Sequence, residues 1–140
     1  MTTDSPAGPV RSPAQAVTGE VTVVVCHSCR GPEGSDDFPR PGSRLADDAR
    51  RAAADTDVRV HSVGCLGNCK RGMSAAILRE GSWSYVFGWL TEQSGQDLIA
   101  GATLLAGSED GFMPFRARPE SLKRGLIARI PTLAHIGDDT

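Results

Sequence analysis

The sequence predicts a mixed α/β domain with the element order βαβββα, a sheet flanked by helices, and three observations carry that expectation. Val21-Thr22-Val23-Val24-Val25 is a β-branched run between Gly19 and a cysteine loop, the pattern of a central strand buried on both faces. Trp83, Tyr85 and Phe87 alternate along a segment that follows an apolar run and a short turn, the signature of an antiparallel hairpin. Two stretches with helical apolar spacing lie between the first two strands and after the hairpin.

The first nineteen residues are rich in Pro, Ser, Thr, Ala and Gly, and Pro6, Pro9 and Pro13 interrupt any regular element. Residues 1–19 are therefore expected to be a disordered tail. The domain proper spans 20–107, opening with the strand Glu20 to Val25. Gly31, Pro32, Gly34, Pro39, Pro41 and Gly42 mark a loop, after which Ser43 is placed to cap a helix with Leu45, Ala46, Ala49, Ala52 and Ala53 facing inward. Val58, Val60 and Val63 give a second strand that enters a second cysteine loop at Gly64, so a parallel crossover is expected. Met73 to Leu78 and the Trp83–Phe87 segment pair around the turn Arg79-Glu80-Gly81-Ser82. Thr91 is placed to cap a second helix with Leu98, Ile99, Ala102 and Leu105 inward and Gly107 just past its end. Residues 108–140 form a C-terminal extension. Within it, between residues 116 and 129, Arg116, Arg118, Lys123, Arg124 and Arg129 are opposed only by Glu120, and Leu122, Leu126, Ile127 and Ile130 fit the inner face of a helix.

Composition limits the function. The chain is 39% hydrophobic and 23% charged, as in a soluble globular domain, and holds no apolar run long enough for a membrane span. Residues 1–19 lack the pattern of a secretory signal, so the expected compartment is the cytoplasm. A formal net charge of −2 provides no overall basic field for nucleic acid. No nucleophile with its base, phosphate loop or paired carboxylates is recognisable, so no catalytic residue is assigned and an enzyme is not expected.

The chemistry is concentrated in four cysteines: Cys26 and Cys29, then, after a gap of 35 residues, Cys65 and Cys69. In a reducing compartment such pairs point to metal binding or thiol chemistry rather than to disulfides. Both follow the first two strands, where loops of neighbouring parallel strands converge. A [2Fe-2S] cluster requires two thiolates per iron, and two local pairs supply them: Cys26 and Cys29 to one iron, Cys65 and Cys69 to the other. The glycines of Gly64-Cys65-Leu66-Gly67-Asn68-Cys69 allow the backbone to bend around sulfur and aim amides at it. The same thiolates also suit one Zn(II), although structural zinc sites favour two similar C-x2-C knuckles. A thioredoxin-type redox pair at Cys26-His27-Ser28-Cys29 is a third reading, opposed by Gly31 and Pro32 where a helix would begin. Four buried cysteines without metal is the fourth. His27 is expected at the surface, His61 as a partly buried structural residue, and His135 carries no signal. Trp83, Tyr85 and Phe87 are expected in the core or on an association face.

At these residues the sequence resembles the thioredoxin-like [2Fe-2S] ferredoxins, over residues 20–107 and most specifically in the Gly64–Cys69 loop. More closely, the whole chain resembles a bacterial family of metal-binding proteins associated with cobalamin-synthesis genes. The first resemblance implies a thioredoxin-like fold, cluster ligation by Cys26, Cys29, Cys65 and Cys69, electron transport with a redox partner protein, and frequent homodimerisation. The second implies handling of Zn(II), Co(II) or iron in cobalamin metabolism as the alternative. The first pair is closer spaced than in typical members of the ferredoxin family, and Lys70-Arg71-Gly72-Met73 stands where they carry a proline. Lys70 and Arg71, with the basic extension, are expected to steer docking toward an acidic partner.

Overall fold

A computed structural model describes residues 20–27, 41–67 and 72–136, without the side chains of 134 and 135. The expected tail (1–19), the first loop, Cys29, Cys69, Lys70, Arg71 and the His135 side chain lie outside the described residues. The elements are β1 (Val21–Cys26), α1 (Pro41–Ala52), β2 (Arg59–Val63), β3 (Met73–Arg79), β4 (Ser84–Leu90), α2 (Gly95–Ala106), α3 (Glu120–Arg124), β5 (Leu126–Ile130) and α4 (Leu133–Ile136).

They build one five-stranded mixed sheet of order β2-β1-β3-β4-β5. β1 and β2 are parallel, and every other neighbouring pair is antiparallel. The first six elements are the expected βαβββα series. β1, β2 and β4 therefore run in one direction, and their C-terminal ends lie at the same end of the sheet as the start of β3.

Strand alternation decides which side chains are covered. Val23, Ile77 and Tyr85 are register partners across β1, β3 and β4, as are Val25, Ala75 and Phe87, and all six are fully buried. Burial of each large apolar side chain contributes about 1.5–3 kcal/mol. Tyr85 and Phe87 thus belong to the core, and since β5 pairs outside it, β4 is not an edge strand. α1 and α2 pack on each other and on β1. Leu45, Ala46, Ala49 and Ala53 of the first helical segment are buried, as are Leu98, Ile99, Ala102 and Leu105 of the second. The helices approach closely: the Gly95 amide donates to the Asp48 carboxylate at 2.9 Å, and a Cβ on Gly95 would come within 2.6 Å of the α1 backbone.

The opposite sheet face differs from the expectation of a first strand buried on both sides. Its central row in register is His61, Val24, Ala76, Val86 and Ala128; Val24 and Val86 are half-buried, His61 and Ala128 exposed.

The expected N-terminal caps are not the ones used, whereas Gly107 stands just past the end of α2 as expected, its amide donating to Thr103 O at 3.1 Å. α1 begins at Pro41, before Ser43. α2 begins at Gly95, after a turn in which Ser94 Oγ accepts from the Thr91 amide. At its other end Arg79 Nη1 donates to the carbonyls of both Leu105 and Ser108 at 2.7 Å, a cation placed on the negative end of the helix.

The extension departs furthest from expectation. The apolar residues read as one helical face belong to α3 and β5, separated by Gly125. Leu122 is fully buried, Leu126 and Ile127 half-buried, and Ile130 exposed. A Cβ on Gly125 would meet Ser121 O at 2.6 Å and Gly88 O at 2.7 Å, so only glycine lets the chain turn from α3 into β5 against β4.

Candidate metal centre at the cysteine loops

β1 ends on Cys26, whose register partner on β2 is Val63; the His27 amide donating to Val63 O at 2.9 Å extends the pairing by one residue. Cys65 follows two residues beyond Val63. The parallel pairing therefore sets Cys26 beside the chain segment that leads into Cys65.

The two sulfurs have different surroundings. Cys26 is 1% exposed, and its thiol donates to Gly64 O at 3.7 Å, the carbonyl immediately before Cys65. The first thiol thus touches the second cysteine loop directly. Cys65 is exposed and its sulfur accepts from the Gly67 amide at 3.2 Å. That contact uses the left-handed conformation of Gly67, φ +77°. Between them Leu66 packs against the hydrophobic core and anchors the loop.

On the other side of β1, the second loop returns to β3 through Gly72, at φ +76°. A Cβ there would lie 3.3 Å from Trp89 Cα. Trp89 itself holds φ +54° and is 57% exposed, rare for a bulky residue. The cause is a β-bulge: Met73 and Ala75 face Leu90 and Phe87, so β4 carries one extra residue at Gly88–Trp89. Sequence alternation gave no sign of it, apart from a glycine inside a strand pattern.

Of the four expected ligands, Cys26 reaches the carbonyl immediately before Cys65, and Cys29 and Cys69 lie outside the described residues. No group of three or more His, Cys, Asp or Glu side chains gathers as a metal site among the described residues. The described half of the donor set suits a thiolate-bound group: one sheltered sulfur, one accessible sulfur and a backbone amide directed at it. His27 is exposed as expected. His61 is also exposed, not partly buried, because it projects from edge strand β2 on the open sheet face.

Fold and site together define a mixed α/β domain that carries a cysteine pair at the C-terminal ends of two parallel strands. The chain belongs to a protein family of unknown function, DUF1636, whose profile matches residues 23–132; that span takes in both cysteine loops, the second helix and β5. No curated protein and no solved structure matches the chain. None of the helices among the described residues is long and apolar enough to cross a membrane.

Proposed function

We propose that this protein is a single-electron carrier that holds a [2Fe-2S] cluster on Cys26, Cys29, Cys65 and Cys69. The observation that carries the proposal is the contact between the Cys26 thiol and Gly64 O, which joins the two cysteine loops at one end of the sheet. Each loop then contributes the local pair that one iron requires. When bound, such a cluster accepts and releases one electron without making or breaking substrate bonds. The chain's own part is to shelter the site through Cys26, leave an approach on the Cys65 side, and direct the Gly67 amide at sulfur.

Kinship with the thioredoxin-like ferredoxins is supported by strand order and direction, with β3 antiparallel to β1, β2 and β4. A link to cobalamin metabolism rests on sequence resemblance alone. The compartment proposed is the cytoplasm, where reducing thiol systems keep cysteines available as ligands.

The test is iron and acid-labile sulfide analysis with a visible absorption spectrum, on protein purified without oxygen. Two irons and two sulfides per chain, with a chromophore that bleaches on reduction and is lost in both Cys26→Ser and Cys65→Ser, are expected. A colourless protein with one zinc, unchanged after attempted cluster reconstitution, overturns electron transfer in favour of a structural or metal-handling role.

A further inference from the structure

We propose that the surface formed by Phe115, Lys123, Arg129 and the Trp83–Phe112 ring pair is a docking site for an acidic polypeptide. It follows β4 and β5, with Arg129 and the Trp83–Phe112 pair near the start of β4 and Lys123 just before the start of β5, whose Leu126 pairs with Phe87, and it does not depend on what the cysteines bind.

Arg118 forms its foundation. This residue is 8% exposed; its Nη2 donates to Met113 O at 2.8 Å and its Nε to Pro114 O at 3.2 Å. Its guanidinium lies 5.2 Å from the Tyr85 ring centre and 5.3 Å from that of Phe115. Burial holds its pKa below the ordinary arginine value, and Arg129 adds to the depression while Tyr85 opposes it; the group stays cationic. A buried cation thus fixes the 113–118 loop and sets Phe115, 58% exposed, at the surface.

Two further cations rest on aromatic rings. Lys123 Nζ lies 5.6 Å from the Phe115 centre. The Arg129 guanidinium lies 4.9 Å from Trp83 and 5.6 Å from Phe112, which stack at 5.4 Å. Among the described residues, Arg44, Arg50, Arg51, Arg59 and Arg124 have carboxylate partners, whereas Lys123 and Arg129 appear in no ion pair. The rings restrict these two side chains before any partner arrives, which lowers the ordering cost of binding, and leave their outer N–H groups for carboxylates.

Single-stranded nucleic acid is disfavoured by the same geometry, since it needs open aromatic faces for base stacking. Here Phe115 is flanked by Arg118 and Lys123, and Trp83 by Phe112 and Arg129. Carboxylates need the cation edges only.

The test uses the full chain with a fluorescein-labelled oligoglutamate peptide, followed by anisotropy at low salt, and oligothymidylate of equal charge as competitor. Lys123→Gln with Arg129→Gln is expected to weaken peptide binding on the order of tenfold or more, whereas Arg44→Gln with Arg50→Gln, an equal charge change on α1, changes it less than about twofold. Phe115→Ala, which leaves every charge in place, is expected to weaken binding by about two- to fivefold through loss of the ring beneath Lys123. Equal losses in both double variants reduce the effect to net charge and overturn the site. Tighter binding of oligothymidylate than of the peptide through Lys123 and Arg129 overturns the choice of partner.

Discussion

The hydroxyl of Tyr85 accepts a hydrogen bond from the Met113 amide at 2.9 Å, inside the core. This one bond ties β4 to a loop 28 residues further along the chain and satisfies a backbone donor that water cannot reach. Tyr85→Phe keeps the ring and leaves that amide unpaired. The expected loss is about 1–3 kcal/mol, measured by urea denaturation; an unchanged midpoint would show that the loop finds another acceptor.

Arg79 provides the C-terminal anchor of α2. In Arg79→Met the aliphatic stem is retained, but the carbonyls of Leu105 and Ser108 lose a shared charged donor. A destabilisation of about 1–3 kcal/mol is expected, with faster amide exchange concentrated in the last turn of the helix. Uniform exchange along α2 would refute a local anchoring role.

Gly95 sets the distance between α1 and α2. An alanine would gain helix propensity, worth about 1 kcal/mol, yet its Cβ has no room beside Asp48 and Ala49. Because that obstacle includes rigid backbone, Gly95→Ala is expected to lower stability by about 1–3 kcal/mol, and a thermal melt decides the sign.

Gly72 is constrained twice, by its left-handed φ and by the neighbouring Trp89 backbone. Gly72→Ala is expected to cost about 1–2 kcal/mol. Under the proposed cluster-binding role, Gly72 closes the second cysteine loop, and iron content after cluster reconstitution is expected to fall along with stability in this variant; stability loss with full iron content would separate the bulge from the site.

The first six elements were legible because each carries its own pattern: the valines of β1, the Tyr85–Phe87 alternation, the small inward face of α1. The cysteines stood out by their spacing, and the parallel register explains why the Cys26 thiol reaches the Gly64 carbonyl in the second cysteine loop. β5 was not. Leu122, Leu126, Ile127 and Ile130 stand at helical intervals, and a half-buried edge strand imposes no alternation to contradict them; its hydrogen bonds come from β4, which local sequence does not report. Burial of Arg118 was hidden for a similar reason, since its carbonyl and ring partners are assembled only by the folded 113–118 loop. The Trp89 bulge arises from register between strands, a property of the pair rather than of either segment.

The fifth strand also orders events during synthesis. A nascent chain that has emerged only as far as Gly107 contains every element of the βαβββα series, yet the outer hydrogen-bonding groups of β4 have nothing to bind and the places of Met113 and Leu122 in the core are empty. Completion waits until Ile130 has cleared the ribosome, so translation rate over residues 108–130 sets how long an unpaired strand is open to other nascent chains.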